Sequence, residues 1–259
     1  DRKALIANTI TSYDLDVVGM QEIATQGMFD DLVTLLPAYG HTNSGTTVDG
    51  CTISKNPIFY AKSRLKLIDQ GCFLVSPKSY LGLTVDGDGS LKREGTWGLF
   101  KDMISEEYFY VFNVHLEGNI MEANEYGASN VINNARSINQ DNQPLFITGD
   151  FNSASVSANS AYTQFKNAGY QDCLELTPPD LRYNSSYNSY HGFNAPKLNG
   201  KQIDKIYCSP QSRLNLKEYR VITDQTLSDH FPVVIETGID YDNWYPSSNL
   251  LRINKFDLG

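Results

Sequence analysis

The chain has 259 residues, of which 41% are hydrophobic and 20% are charged, and its formal net charge at pH 7 is -9. This length allows one large domain, and no apolar run approaches the roughly 18 residues that a membrane span needs. The acidic balance argues against nonspecific binding to nucleic acid or anionic lipid, because both depend on clustered Lys and Arg. We therefore expect a soluble globular monomer.

The four cysteines, Cys51, Cys72, Cys173 and Cys208, lie far apart and contain no CxxC pair. A structural zinc site of the usual spacing is therefore not predicted. Buried free thiols are the first interpretation, and a Cys51–Cys72 disulfide is the alternative, which requires an oxidising compartment. The compartment stays open, with a secreted or periplasmic location as one option.

Helix and strand patterns alternate along the chain. Helical spacing predicts helices near residues 5–13, 29–36, 128–138 and 158–168. Strands are predicted at Asp16–Met20, Pro57–Lys62, Thr96–Lys101, Tyr108–His115, Pro144–Thr148, Ile203–Cys208 and Pro232–Glu236. Strands interleaved with helices favour two sheets packed face to face, with helices outside.

Five apolar segments end on polar residues that can bind metals or move protons. These residues are Glu22, His115, Asp150 with Asn152, Asp204, and Asp229 with His230. Strand ends that meet at one edge of a sheet can gather such groups around one point. Asp150 and Asn152 are two residues apart, so in an extended strand their side chains face the same side, as do those of Asn113 and His115.

Each motif alone also has a simpler interpretation. Glu22 could begin a turn or a helix, and the segment from Asp150 to Asn152 could be an Asx turn. Asp204 could be a surface residue that pairs with Lys205. No single motif therefore supports a function.

Taken together and in this order, the segments resemble the signature of the endonuclease/exonuclease/phosphatase superfamily of metal-dependent phosphoesterases. The match runs from about Leu15 to Glu236 and includes VVGMQE, GDFN, IDKI and SDHFPV. The resemblance implies a deoxyribonuclease-like four-layer α/β sandwich, with two mixed β-sheets packed face to face and helices outside. This domain would span residues 1–239, and residues 240–259 would form a C-terminal extension packed on it.

The resemblance further implies one divalent cation, Mg²⁺ or Mn²⁺, and hydrolysis of a phosphoester by in-line attack of water. Glu22 would bind the metal and Asp229 would assist it. The implied catalytic residues are His115, Asp150, Asn152, Asp204, Asp229 and His230.

Within this implied set, Asp150 would orient or deprotonate the water, and Asn152 would hydrogen-bond to the phosphate or the water. Asp204 would hold His230 in one tautomer, and His115 would donate to a phosphoryl oxygen. How the role of general base is divided between Asp150 and the His230–Asp204 pair stays open.

Two features depart from the family pattern or match it loosely. The family begins with a strand that ends in a metal-binding Asn, and nothing before Glu22 supplies one, because Asn8 lies in a predicted helix. Either the chain is a fragment that lacks this strand, which we favour, or the site is completed differently. Arg93 could match a phosphate-contacting arginine of related enzymes or be a solvated loop charge.

The expected substrate is a phosphorylated small molecule, a lipid phosphate or a short nucleotide, and long nucleic acid is less favoured. The Tyr-rich loop from Tyr183 to Phe193 could line a substrate pocket near His191 or be a mobile surface loop. Competing hypotheses are a non-catalytic binding module on the same scaffold and a nuclease acting on nucleic acid. The full set of acid–base and metal-binding residues argues against a binding-only module.

Overall fold

The computed structural model describes residues 2–42, 56–76, 93–154, 157–210, 213–223, 227–239 and 250–258. Its helices are α1 (Arg2–Ser12), α2 (Gln26–Leu35), α3 (Met121–Ile138), α4 (Ala161–Asn167) and α5 (Cys173–Leu176), with a 3-10 turn at Pro179–Leu181. Its strands are β1 (Val17–Gln21), β2 (Tyr39–His41), β3 (Ile58–Ala61), β4 (Leu65–Ser76), β5 (Arg93–Asp102), β6 (Tyr108–His115), β7 (Leu145–Asp150), β8 (Gln171–Asp172), β9 (Arg182–Tyr183), β10 (Asp204–Cys208), β11 (Leu214–Val221), β12 (Val233–Ile239) and β13 (Leu251–Asp257).

The strands form two mixed sheets. One has the order β2-β3-β1-β13-β12-β11-β9, and the other has the order β4-β5-β6-β7-β10-β8. The main core lies between the sheets, and two further cores lie under the helices, with α1 and α2 on the seven-stranded sheet and α3 and α4 on the six-stranded sheet. The predicted four-layer α/β sandwich is therefore confirmed.

Strand β7 illustrates how burial on both faces selects a continuous apolar sequence. Phe146 packs into the core between the sheets, whereas Leu145 and Ile147 pack into the core under the helices. An inner strand covered on both sides has no solvated face, so it does not alternate apolar and polar residues. Its first polar side chain after Thr148 is Asp150, at the end of the strand.

The C-terminal segment differs from its predicted place. Strand β13 lies inside the seven-stranded sheet, parallel to β1 and antiparallel to β12. The prediction that this segment packs on the domain as an extension is therefore wrong for Leu251–Asp257, while residues 240–249 and 259 lie outside the described residues. Ile253 is buried between the sheets and Phe256 is buried under the helices, as an inner strand requires.

Asn113 joins the two sheets close to the strand ends. Its Nδ2 donates to the carbonyl oxygen of Met20 (2.7 Å), and its Oδ1 accepts from Gln21 Nε2 and from Thr148 Oγ1 (3.0 Å). Gly19 faces this junction, and a Cβ atom there would overlap Asn113 Oδ1 and Thr148 Oγ1. The absence of a side chain at Gly19 lets the sheets approach each other here.

The cysteines divide into two kinds. Cys173 and Cys208 are buried free thiols, as the first interpretation predicts. Cys72 is disulfide-bonded, so that interpretation is wrong for this residue. Cys51 lies outside the described residues. Among the helices of the described part of the chain, none is long and apolar enough to span a membrane.

Candidate active site

Three neighbouring strands bring polar side chains together at one end of the six-stranded sheet, where β6 and β7 end and β10 begins. The register pairs His115 of β6 with Asp150 of β7, and Asp150 with Asp204 of β10. The His115 Nε2 atom lies 3.5 Å from Asp150 Oδ2, and all three side chains are buried. Buried polar groups in adjacent register positions interact directly, because little water separates them.

His230 reaches this end of the six-stranded sheet from the opposite sheet, where it lies just before β12. Its Nδ1 lies 2.9 Å from Asp204 Oδ2 and 3.2 Å from Asp204 Oδ1, and its Nε2 lies 3.8 Å from Asp150 Oδ2. The interpretation of Asp204 as a surface partner of Lys205 is wrong, because Asp204 is fully buried and Lys205 pairs with Asp172 at 2.7 Å.

The contact between His230 and Asp204 separates the proton affinities within the site. Burial would lower the pKa of His230, but the charge and the hydrogen bond of Asp204 outweigh it and raise this pKa to about 9. Burial would raise the pKa of Asp204, but Lys255 and His230 together hold it well below its usual value. Burial, with the charge of Asp204, raises the pKa of Asp150 to about 8. His230 is therefore cationic at neutral pH, and Asp150 can accept or hold a proton there.

His115 lies among four of the other candidate residues and stays uncharged. Its Nε2 lies 3.0 Å from Asn152 Nδ2, and its Nδ1 lies 3.4 Å from Arg93 Nη1 and 3.8 Å from Glu22 Oε1. Burial, reinforced by the charge of Arg93, lowers the pKa of His115 to about 3. Asn152 has a left-handed backbone (φ 50°), and its N–H donates to Asp150 Oδ1 at 2.7 Å, so the Asx turn is part of the site.

Arg93 and Glu22 border the site where it opens to solvent. The guanidinium of Arg93 is held by Glu117 (Nε–Oε2 3.2 Å), and its side chain is only 23% exposed, so it is not a solvated loop charge. The Glu22 side chain is 44% exposed, on a left-handed residue (φ 60°) directly after β1. Burial raises the pKa of Glu22, and the charges of Asp257 and Asp229 add to this effect. A cation close to Glu22 would favour the charged form of its carboxyl group.

Strand β13 contributes two side chains that lie outside the motifs predicted from the sequence. Lys255 contacts Asp204 Oδ1 and lies 3.6 Å from Asp257 Oδ2, and both Lys255 and Asp257 are buried. Asp257 pairs in register with Gln21, next to Glu22. The two residues stand two apart in an apolar segment, which is the same signal that selects Asp150 and Asn152. Strand β13 is thus an inner strand beside β1 that ends in a potential metal ligand. This arrangement fits the alternative in which another residue takes the place of the metal-binding Asn of the family.

Four of these side chains could hold a metal ion together. The ligand atoms of Asp150, Asp204, His230 and Asp257 lie within 4.8 Å of one another, and all four residues are buried. Carboxylate oxygens and an imidazole nitrogen suit a divalent cation of the Mg²⁺ or Mn²⁺ class. The two predicted metal-binding residues, Glu22 and Asp229, are not among the four, although the charges of Asp257 and Asp229 both act on Glu22.

A loop at residues 184–200 is attached to the site and presents an aromatic face. The backbone N–H of Phe231 donates to the Ser189 carbonyl (2.7 Å), and Ser189 Oγ accepts from the Asp204 N–H (3.1 Å). These bonds fix Tyr190, whose ring centroid lies 4.9 Å from that of His230 and whose surface is 48% exposed. Asn152 also lines a cleft of about 420 Å³, which is within the usual size range for a small-molecule site.

Comparison with known proteins identifies the family. The sequence matches the Endonuclease/Exonuclease/phosphatase family over residues 1–230. The chain belongs to this family. No curated protein matches the sequence.

Several solved structures share the fold over most of the chain. A family member from Bacteroides vulgatus is 27% identical, with a TM-score of 0.74, and the alignment covers 92% of this chain and 90% of that one. The mannosyl-6-phosphatase of Bacteroides thetaiotaomicron is 26% identical, with a TM-score of 0.77 and coverage of 92% and 91%. The human Nocturnin catalytic domain with a bound sulfate anion is 19% identical, with a TM-score of 0.65 and coverage of 92% and 86%, and shares the fold alone.

Proposed function

We propose that the protein is a divalent-metal-dependent hydrolase of phosphoesters that acts by in-line attack of water. The observation that carries this proposal is the buried group of Asp150, Asp204, His230 and Asp257, whose ligand atoms lie within 4.8 Å of one another. Membership of the endonuclease/exonuclease/phosphatase family supports the same chemistry. Mg²⁺ or Mn²⁺ suits the carboxylates of this group, because these hard cations prefer oxygen ligands.

We assign the metal to Asp150 and Asp257, with Glu22 and Asp229 at the outer edge of the site. When bound, the cation would supply Lewis-acid stabilisation of the negative charge on the phosphoryl group. The position of Glu22, half exposed beside Asp257, supports its inclusion. Asp204 is less suited, because both of its oxygens already contact His230 and one also contacts Lys255.

In the proposed reaction Asp150 orients the attacking water and takes its proton. The position of its Oδ2 atom, 3.5 Å from His115 Nε2 and 3.8 Å from His230 Nε2, supports this role, because a base must lie beside the groups that contact the phosphate. His230, held by Asp204, is cationic at neutral pH and would donate a hydrogen bond or proton to the phosphoryl or leaving-group oxygen. Asn152 and His115 would hydrogen-bond to the phosphate as its charge increases.

We propose a phosphorylated small molecule, and a sugar phosphate in particular, as the substrate. Support comes from the similarity to a mannosyl-6-phosphatase over 92% of this chain. The exposed ring of Tyr190 beside His230 offers a flat apolar surface of the kind that packs against sugar rings. The net charge of -9 argues against long nucleic acid as the substrate.

The proposal is tested with mannose 6-phosphate, p-nitrophenyl phosphate, bis-p-nitrophenyl phosphate and a short oligonucleotide, each with Mg²⁺ and with EDTA. We expect Mg²⁺-dependent hydrolysis that Asp150→Ala and His230→Ala lower by about 10³-fold or more, with the folded state retained. The matched control is Asp180→Ala, which removes an exposed carboxylate at Pro179–Leu181. Unchanged turnover in both site variants would exclude this assignment, and cleavage of the oligonucleotide alone would favour a nuclease.

A further inference from the structure

Strand β13 places a lysine inside the group of site carboxylates. The Lys255 side chain is fully buried, its ammonium contacts Asp204 Oδ1, and it lies 3.6 Å from Asp257 Oδ2. Both partner carboxylates are buried as well, and so is Asp150. A buried ammonium loses its hydration, so it is tolerated only where carboxylates compensate for that loss. Lys255 therefore belongs to the charge balance of the site.

The charge balance of the site depends on whether residue 257 carries a negative charge. Without Lys255, the buried carboxylates of Asp204 and Asp257 would lie close to Asp150, and His230 would be the cation of the same group. The resemblance described above implies an uncharged Asn at the end of the inner strand that helps to hold the metal. Strand β13 ends instead on the carboxylate of Asp257, next in register to Gln21. The added negative charge of Asp257 and the positive charge of Lys255 thus offset each other.

Lys255 also fixes the position of Asp204. His230 Nδ1 approaches Asp204 most closely at Oδ2 (2.9 Å), whereas Lys255 contacts Oδ1. A carboxylate that is bound at both oxygens cannot rotate away from His230, so Lys255 acts on the His230 ring through Asp204. Its ammonium is fully buried, so it is not placed to touch the substrate.

We propose that Lys255 is a positioning residue, an internal counter-cation that allows a carboxylate at Asp257 to bind the divalent cation and that locks Asp204 against His230. The metal part of this inference rests on the proposed function. The charge pair itself exists in the metal-free protein, so the two can be tested separately.

A double-mutant cycle in EDTA tests the charge pair. The four proteins are the wild type, Lys255→Met, Asp257→Asn and the double variant, and the readout is the urea concentration at the midpoint of unfolding. We expect Lys255→Met to lower the midpoint strongly, because it leaves buried carboxylates uncompensated. Adding Asp257→Asn should raise the midpoint in the Lys255→Met background and lower it in the wild-type background. If Asp257→Asn changed the midpoint by the same amount in both backgrounds, the proposed charge pair would be refuted.

A matched control separates this coupling from the general loss of a buried lysine. Lys205 pairs with Asp172 at 2.7 Å, and its side chain is only 11% exposed. Lys205→Met should lower the midpoint too, but the effect of Asp257→Asn should be the same with and without it. If Asp257→Asn also raised the unfolding midpoint in the Lys205→Met background, the coupling would not be specific to Lys255 and the proposal would be refuted.

Mn²⁺ binding, measured by titration calorimetry, tests the metal part. Asp257→Asn should weaken Mn²⁺ binding by roughly tenfold or more, as expected for loss of a charged ligand, while Lys205→Met leaves it unchanged. Unchanged affinity in Asp257→Asn would overturn this part. If Lys255→Met fails to fold, a folded double variant would support the charge pair, and a double variant that also fails to fold would overturn it. If the wild type does not bind Mn²⁺, the proposed function fails, whereas the cycle in EDTA still tests the charge pair.

Discussion

The His230 Nδ1 atom lies 2.9 Å from Asp204 Oδ2, and the two residues belong to opposite sheets of the sandwich. Asp204 begins β10 of the six-stranded sheet, whereas His230 lies just before β12 of the seven-stranded sheet. The contact therefore forms only when the sheets are packed together. Any change in its strength should be measurable both in catalysis and in the free energy of unfolding.

The first prediction concerns the pH dependence of stability in the metal-free protein. The pKa of His230 is raised to about 9 in the folded state, whereas an unfolded histidine titrates near roughly 6.5. A raised folded-state pKa stabilises the protein fully below the unfolded value, and this stabilisation is lost as pH rises through the folded value. We expect the free energy of unfolding in EDTA to fall between roughly pH 6.5 and pH 9.

Urea denaturation at several pH values measures this decline. His230→Gln, which cannot gain a proton, serves as the comparison and should show a flatter profile over the same range. Parallel profiles for the two proteins would mean that another group causes the decline.

The second prediction concerns Gly19, which faces the junction between the sheets at Asn113. A Cβ atom at Gly19 would overlap Asn113 Oδ1 and Thr148 Oγ1. Gly19→Ala should therefore lower the free energy of unfolding by about 1–3 kcal/mol, as overpacking of a core does. Gly27→Ala is the control, because Gly27 is exposed in α2 and its Cβ position has only an ordinary contact, 4.0 Å from Thr25 Oγ1. The control should be neutral or slightly stabilising, and equal losses in both variants would contradict the steric explanation.

The third prediction concerns Tyr190 and rests on the proposed substrate. If its exposed ring packs against a sugar, Tyr190→Ala should raise KM by roughly threefold to tenfold, the equivalent of about 0.5–1.5 kcal/mol of ring contact. Tyr190→Phe keeps the ring and should retain the KM of the wild type. The control is Tyr183→Ala, which removes a similarly exposed ring that packs on Arg220. A rise in KM of the same size in Tyr183→Ala would argue against contact between Tyr190 and the substrate.

The fourth prediction concerns the disulfide at Cys72. Dithiothreitol should lower the unfolding midpoint of the wild type, because loss of a disulfide typically destabilises a small domain by about 2–5 kcal/mol. Cys72→Ala should have a low midpoint from the start and show no further response to dithiothreitol. Cys208→Ala, which alters a buried free thiol, should keep the response of the wild type. A wild type insensitive to reductant would show that the disulfide adds no stability.

Much of the fold could be predicted from the sequence, because the inner strands read as apolar runs ending on polar residues. Strand β6 was predicted with its observed bounds, Tyr108–His115, since both of its faces are covered. Strands β4 and β11 were not predicted, because both mix buried and exposed positions and carry charges such as Lys66 and Lys217. Exposure on one side weakens the apolar run on which the prediction depends.

The sequence predicts most residues of the candidate site, but not Lys255 and Asp257. The strand register places His115, Asp150 and Asp204 side by side, and the distances add His230 to them. The sequence pattern does not indicate Lys255, because a lysine is usually solvated, and the fold is needed to show that carboxylates surround it. A pairing between distant segments cannot be read from the local pattern of either one.

The pairing of β13 with β1 also has a consequence for how the protein folds. The backbone N–H of Arg252 donates to Asp16 Oδ2 across a sequence separation of 236 residues, at the start of the two paired strands. In a nascent chain that emerges from the ribosome, the slot between β1 and β12 stays open until β13 has been made, and its edges are unpaired. Because such long-range pairing has a high contact order, we expect completion of this sheet to be a late and slow step of folding. The protein would acquire Lys255 and Asp257, and with them the charge balance of its site, in that same step.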